Sequence, residues 1–443
     1  MTQPMNNSSA PRSNRRDFMK TSMLGAVGAA ALGGLSLARG AHAAGSDVIR
    51  IGLIGCGGRG PGAALNAMNV DRGLRLVAMT DIFADKVKSR RAMLKQQKPD
   101  QVQVDDAHCF SGLDGYRHVI ESAEVVLIAC AAKYHCYYLH AAVKAGKHVF
   151  VEKPHAIDPV GVRQIAAACA LAKQKNLSVM SGLQSRYQPS YRETIKRIHD
   201  GAIGDIVSMQ ETWLRGPYGL NKRNPKLTEV EFQFSNQYHF SWLSGDDVPQ
   251  TLTHNLDRSL WAMKGKTPVR AQGMGGRSAS FGEVYGNVFD HHSVVYEYAN
   301  GVKLYALCRT QNGCYEDNSS VYLGTKGRCD LTRGQITGEN PWHYQGHGDA
   351  SPYDLEHAAL FGAIRSGKPV NAGEYMVPGT LVTILGQLAC YSGRELTWEQ
   401  VAKSQFGYLP HPEDVRLDME APVKPDAQGN YPVPMPGITE FKI

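Results

Sequence analysis

Much that would place this chain in a narrow class is missing from its sequence. Its nine cysteines include no C-x-x-C pair, and Cys130, Cys308 and Cys390 sit in the apolar runs "VVLIAC", "KLYALC" and "QLAC". A thiol in such a run serves as a small buried hydrophobe. An odd count scattered in this way excludes a disulfide framework. Beyond residue 43 there is no basic block and no interleaved basic–aromatic run, which argues against nucleic acid as a partner. No apolar run there reaches the roughly 20 residues of a membrane span, so no stable membrane insertion is expected. Charge of one sign is also scarce. The formal charge is +7, but Arg12, Arg15, Arg16, Lys20 and Arg39 against Asp17 account for +4 of it within the first 43 residues. Hydrophobic residues at 42% and charged residues at 20% are ordinary for a globular chain. The roughly 400 residues after position 43 suit two domains or one large one.

What is present begins with a leader. Arg15 and Arg16 stand in "SNRRDFMKTSM", followed by the apolar "LGAVGAAALGGLSLA" and the small-residue site Ala41-His42-Ala43. Charged region, short apolar region and cleavage site together spell an export signal over residues 1–43. The paired arginines point to the twin-arginine route, which moves folded proteins. The expected location is therefore periplasmic or exported, and trapping a cytoplasmic cofactor is one reason to fold first.

Residues 46–180 read as a dinucleotide-binding Rossmann domain. The β-branched run "VIRIGLI" leads straight into Gly55, Gly57 and Gly60 at G-x-G-x-x-G spacing, and a helical pattern follows with Pro61 near its first turn. The first glycine makes the tight turn, the second admits a pyrophosphate close to the backbone, and the third lets helix and strand pack. The helix N-terminus offers free N–H groups to the phosphates. The next run, "LRLVAMTD", ends at Asp81, whose carboxylate suits a ribose diol and repels a 2′-phosphate, so NAD is expected over NADP. "AEVVLIACA" and "HVFVE" alternate with "YLHAAVKAGK", continuing the βαβ pattern. At the end of the last of these strands stands Glu152-Lys153-Pro154, where ligands of such sheets sit, and Lys153 is placed to project over the cofactor.

From Ser181 the pattern changes to β-branched, alternating runs such as "GDIVSMQETWL" and "HSVVYEYANGVKLYALCRT", the latter holding the turn Ala299-Asn300-Gly301. They predict antiparallel strands. A long aromatic segment from Arg215 to Asp247 reads as a binding loop. Trp213 just ahead of it and Tyr218, Tyr238 and Trp242 within it are candidates for stacking on a sugar. Arg186 and Tyr187 follow the strand-like "LSVMSGL" and are placed by location near a substrate. His254 opens the amphipathic helix "HNLDRSLWAM", with Asp257 three residues on. Asp290-His291-His292 lacks a third ligand at suitable spacing, so no metal is expected. The tail over residues 410–443 is Pro-rich and reads as an extended arm, packed on the surface or on a neighbouring subunit.

"GLIGCGGRG" followed by "AGKHVFVEKP" resembles the Gfo/Idh/MocA oxidoreductases, and the likeness continues through "SGLQSRYQPSY", "THNLDRSLWAM", "LGTKGRCDL" and "HAALFGAIRSGKP", nearly all of the chain after the leader. The resemblance implies an α/β protein: a Rossmann domain, then over residues 181–409 an α/β domain on a large, mostly antiparallel open-faced sheet whose open face meets the nicotinamide. It implies Gly55, Gly57, Gly58, Arg59, Gly60, Asp81, His135, Glu152 and Lys153 as cofactor contacts, Lys153 and His254 as the catalytic pair, and a homo-oligomer. The sequence departs from the family at two places. Gln250 stands where an Asp commonly precedes the histidine; it can hydrogen-bond a substrate hydroxyl but cannot exchange a proton. "AAKYH", Ala131 to His135, replaces the usual "TPP" segment.

The chemistry expected is hydride transfer between a sugar or glycoside CH–OH and tightly held NAD, with His254 as base and Lys153 polarising the hydroxyl. Two alternatives stand beside it. A redox-neutral glycosidase of the family-109 kind would use the same pair with Tyr238 or His239 as an additional base. A non-catalytic sugar sensor would not need an intact Lys153 and His254.

Overall fold

The computed structural model describes residues 47–346 and 349–443; the expected leader lies outside them. Six strands form the first sheet: β1 (Ile49–Ile54), β2 (Leu74–Asp81), β3 (Cys109–Ser111), β4 (Val125–Ile128), β5 (His148–Val151) and β6 (Val179–Ser181). All pair in parallel, in the order β3-β2-β1-β4-β5-β6. Helices cover both faces, so β4 is buried along its whole length and reads as unbroken Val, Leu and Ile rather than as an alternation. The strand order reverses between β1 and β4. Beyond the carboxyl ends of strands at such a switch point lies a crevice, and that is where the glycine motif falls.

The second sheet has nine strands: β7 (Ile206–Arg215), β8 (Arg270–Gly276), β9 (His291–Glu297), β10 (Lys303–Thr310), β11 (Asp317–Gly324), β12 (Gly327–Asp330), β13 (Gln335–Gly338), β14 (Trp342–His343) and β15 (Leu396–Thr397). Their order is β14-β13-β12-β11-β7-β10-β9-β8-β15. Only β7 and β10 run parallel; the other pairs are antiparallel.

Strand alternation decides which face of this sheet meets the site. Trp213, Cys308 and His292 lie in register across β7, β10 and β9, and the Trp213 ring lies 5.8 Å from that of His254. Tyr305 and Gln210 are also paired but have the opposite parity, and Tyr305 is 45% exposed. The open face therefore looks away from the site, and the covered face meets it. This corrects the orientation that the family resemblance implied.

The helix Pro352–Arg365 follows β14 in sequence yet packs on the Rossmann layer. Its His357 ring lies 4.3 Å from Phe150 of β5, and its Asp354 accepts from Asn66 at 2.7 Å. Asn371 then bridges to Val179 in parallel. From Ser404 onward the chain has no strand and only one short helical turn.

Candidate cofactor and active site

The glycine loop carries its geometry in two glycines. Gly55 has φ +99° and its N–H donates to Thr80 O at 2.8 Å. A Cβ on Gly60 would stand 1.8 Å from Gly55 O, so only glycine permits this crossing of strand and helix. At Gly57 and Gly58 the situation is the reverse: a Cβ would meet nothing within 4 Å. The open side of Gly57 faces a solvent-open cleft lined by Gly55, Asp81, Lys86, Tyr116 and Cys130, among others. The helix Arg59–Val70 starts there without a side-chain cap, which leaves its first-turn N–H groups for a ligand. Asp81 is held at the tip of β2, accepting from Cys56 N at 2.8 Å and Phe83 N at 3.1 Å. Uncapped donors, bare backbone and an oriented acid fit the pyrophosphate and ribose of a dinucleotide.

At the tip of β5 the Lys153 ammonium donates to the Gln250 backbone carbonyl at 2.8 Å. Glu152 accepts from Arg59 Nε at 2.7 Å through one oxygen and from Lys153 N at 3.3 Å through the other. These residues line a second cavity of about 360 Å³ with His135, Tyr238, Ser244 and Gln250. Ala129, Cys130 and Gln237 line both cavities, so the two adjoin, with Asp81 on the wall of one and Lys153 on the wall of the other. His135 is buried with a carbonyl at each ring nitrogen, Pro154 O at 2.7 Å and Cys130 O at 3.1 Å. It fixes the turn after Lys153.

His254 opens the helix Thr253–Ala262, directly after a widened π turn over Val248–Leu252. Its Nδ1 is buried with no partner among the described residues. Burial first, then the cations Lys153 and Arg258, hold its pKa well below the usual imidazole value. The ring is neutral at working pH, and it lies behind the walls of the two cavities rather than lining either. Gln250 lies in the π turn, and its side-chain amide donates to Ser244 O at 3.0 Å.

The wall opposite is a column of stacked side chains. Arg215 lies 3.6 Å over the Tyr218 ring, and Tyr218 stacks on Tyr238 at 4.2 Å and 16°. Arg215 is anchored by Asp247 at 3.1 Å and Thr251 at 2.9 Å. Tyr238 lines the Lys153 cavity. Burial and the neighbouring Tyr218 push its pKa up, so it stays a neutral phenol. His239 is buried with Nε2 unpartnered, and it does not line the cavity.

Four expected substrate contacts are placed elsewhere. Trp242 is 2% exposed in the core, its Nε1 donating to Gln233 at 2.7 Å, so no face is free to stack on a sugar. Arg186 and Asp257 spend their charges on each other through a forked pair at 2.8–3.1 Å. Arg186 is also sandwiched between Tyr375 at 4.0 Å and Trp261 at 5.4 Å. The Tyr187 hydroxyl meets Met180 Sδ at 3.1 Å against the Rossmann sheet. These side chains stand next to the site in sequence but were recruited by packing. Conversely, Phe234 and Gln237 line the nucleotide cleft from the far domain, a placement no local motif signals.

His291 and His292 diverge as strand neighbours must: one bonds Asp290 at 2.8 Å, and the other is buried 3.4 Å from Asp246. No group of three His, Cys, Asp or Glu among the described residues is placed to hold a metal.

Residues 49–183 match the family model GFO_IDH_MocA, an oxidoreductase family with an NAD-binding Rossmann fold. The chain is 30% identical over 217 residues to inositol 2-dehydrogenase 3 of Saccharopolyspora erythraea, covering 48% of this chain and 54% of that protein. It is 31% identical over 156 residues to a glycosyl hydrolase family 109 protein of Solibacter usitatus, covering 33% of this chain and 34% of the other. The chain thus spans about half the length, or less, of these curated relatives. Among solved structures, an aldose-aldose oxidoreductase from Caulobacter crescentus superposes with a TM-score of 0.61 at 19% identity, over 79% of this chain and 99% of that one.

Proposed function

We propose that the chain, whose residues 49–183 match the Gfo/Idh/MocA oxidoreductase family model, is an NAD-dependent oxidoreductase of that family acting on a CH–OH group of a sugar, cyclitol or glycoside. NAD, when bound, supplies the hydride acceptor. The remaining work falls to side chains on the page. The Lys153 ammonium is held at the strand tip, where it polarises the substrate hydroxyl and stabilises the developing alkoxide. His254, kept neutral by burial and by the two cations, takes the hydroxyl proton. The Tyr218–Tyr238 stack offers an aromatic wall for a sugar face. The observation that carries this reading is a pair of adjoining cavities that share Ala129, Cys130 and Gln237, with the glycine loop and Asp81 lining one and Lys153 lining the other. Protein taken directly from cells should release NAD on denaturation. It should also form NADH, followed by absorbance at the reduced-nicotinamide band, with one member of a sugar and cyclitol panel. Absence of both refutes the proposal.

A second reading has its own support. The likeness to a family 109 glycosyl hydrolase favours a redox-neutral glycosidase, in which Tyr238 on the cavity wall, held as a neutral phenol, would serve as a proton donor to the leaving oxygen rather than as a base. C3 of the sugar would be oxidised, the acidified C2 proton removed, the aglycone expelled, water added, and C3 reduced again, which sums to hydrolysis. An aryl glycoside in heavy water separates the two. Aglycone release with deuterium at C2 selects the hydrolase, and a keto-sugar with reduced cofactor selects the dehydrogenase.

Export by the twin-arginine route is part of the same proposal. Replacing Arg15 and Arg16 with lysine should retain the protein in the cytoplasm, and unchanged export would remove the route.

A further inference from the structure

By sequence the helix Glu229–Ser235 belongs to the substrate domain, yet it sits over the nucleotide cleft. Phe234 and Gln237 line the end that holds Asp81, and the Phe234 ring lies 6.0 Å from that of Tyr134 in the Ala131–His135 loop. Gln237 lines the Lys153 end as well.

What holds this segment in place is the C-terminal arm. Thr228 Oγ1 donates to Leu417 O at 2.6 Å, and Gln233 Nε2 donates to Val423 O at 2.7 Å. Tyr431 is 2% exposed, its ring edge-on to Phe240 at 4.9 Å. Its hydroxyl donates to Glu229 and accepts from Arg223 Nη2 at 3.0 Å. Arg223 in turn pairs with Glu229 at 2.8 Å and Glu283 at 2.7 Å.

The arm is also tied to the other wall of the cleft. Lys133, in the "AAKYH" segment that departs from the family, is buried and donates through Nζ to Tyr408 O at 2.7 Å, 5.7 Å from the Trp242 ring. Burial lowers its pKa to about 8. One continuous strap thus joins the Rossmann loop at Tyr408 to the roofing helix at Leu417, Val423 and Tyr431.

We propose that the segment Glu229–Tyr238 roofs the bound dinucleotide, with Phe234 and Gln237 as its contacts, and that residues 404–443 latch this roof so that the cofactor stays in place through turnover. The proposal rests on the dinucleotide reading above. A roofed cofactor leaves only when the segment lifts, and lifting breaks the hydrogen bonds to the arm.

The test uses the full-length protein and NADH fluorescence. Tyr431→Phe keeps the ring and removes the hydroxyl; Lys133→Met keeps the stem and removes the ammonium. After mixing NADH-loaded protein with excess NAD, each variant should release NADH at least about tenfold faster than the parent, the scale of one or two lost hydrogen bonds. Parental release rates in both variants overturn the latch. Hydrogen exchange on the unsubstituted protein gives an independent check: amides of Glu229–Ser235 should exchange at least about tenfold more slowly with NADH bound, and equal exchange overturns the roof. If the parent binds no NADH at all, the dinucleotide reading itself fails and the roof falls with it, an outcome distinct from binding with unchanged release.

Discussion

Replacing Gly57 with alanine separates what the glycine loop does for the fold from what it does for a ligand. A Cβ there would meet no protein atom within 4 Å, and the residue is not in the left-handed region. Without nucleotide the substitution therefore costs nothing in packing. By narrowing the unfolded chain it should leave stability unchanged or raise it by about 0.4–1 kcal/mol. The same Cβ occupies the cleft side of the loop, where a pyrophosphate approaches the uncapped N–H groups of the helix Arg59–Val70. Pushing the phosphates outward sacrifices one or two charge-assisted hydrogen bonds at roughly 1.5–3 kcal/mol each. Taking about 3 kcal/mol, the NADH dissociation constant should rise on the order of 100-fold. Gly60→Ala is the contrast, because its Cβ falls 1.8 Å from Gly55 O and 3.3 Å from Leu53 Cδ1, so helix and strand must part. It should destabilise by several kcal/mol with or without ligand. The assays are urea unfolding of nucleotide-stripped protein and NADH fluorescence titration. Gly57→Ala with parental NADH affinity would refute the placement of the pyrophosphate, and Gly57→Ala that unfolds would refute the claim of empty space.

Lys153→Met should lower turnover by about 10³ or more while NADH affinity stays within about threefold, since the ammonium acts on the substrate hydroxyl; equal losses in both would assign Lys153 to cofactor binding. Asp81→Ala should shift the ratio of NAD to NADP affinity by about tenfold toward NADP, measured by titration with each reduced form. Glu211 is fully buried beneath Ser259, Ser320 and Tyr322, and burial pushes its pKa up to about 7 against Arg258 and these hydroxyl donors. A raised folded pKa means that the native state binds more protons than the unfolded one between the ordinary carboxyl value and about 7. The contribution is present at low pH and is lost as pH rises through that window, by about 3 kcal/mol in all. Glu211→Gln removes this slope, so its stability relative to the parent should climb between about pH 4.5 and 7 in urea unfolding; a flat difference would show an ordinary Glu211.

How much was legible in the sequence follows from how local each signal is. The glycine loop, the strands around it and the acid at the end of β2 are each fixed by a few consecutive residues, and they fold where periodicity and turn chemistry place them. Lys153 is legible for the same reason, as the residue after a buried strand. Sequence proximity fails where a side chain has two equally good uses. Asp257 sits one helical turn from His254, but a forked guanidinium within reach neutralises it, and only the fold brings Arg186 there. Trp242 stands among loop aromatics, yet burying its large ring in the core outweighs leaving it on the surface, and Gln233 satisfies its single donor. The open face of the second sheet was misassigned because alternation tells which residues share a face but not which face a helix will cover. The contacts of Phe234 and Gln237 with the nucleotide cleft were invisible, since they depend on the arm folding back across some 190 residues of chain.

The departure at Lys133 and the arm can be weighed against the demands of export. At a typical association rate of about 10⁶ M⁻¹s⁻¹, a micromolar cofactor site empties in roughly one second. If the leader carries the folded protein out of the cytoplasm to a compartment where NAD is scarce, residence must instead last hours, which needs a release rate nearer about 10⁻⁴ s⁻¹. That ratio of about 10⁴ corresponds to roughly 5.5 kcal/mol. A net hydrogen bond contributes about 1 kcal/mol, so some five of them must break before the roof lifts. The arm's four bonds to Thr228, Gln233, Glu229 and Arg223 come close to that number, and the Lys133 bond anchors the arm itself to the Rossmann loop. Retention on this scale comes without any tightening of the phosphate or ribose contacts. A glycine loop of ordinary affinity therefore suffices, provided the last forty residues of the chain stay down.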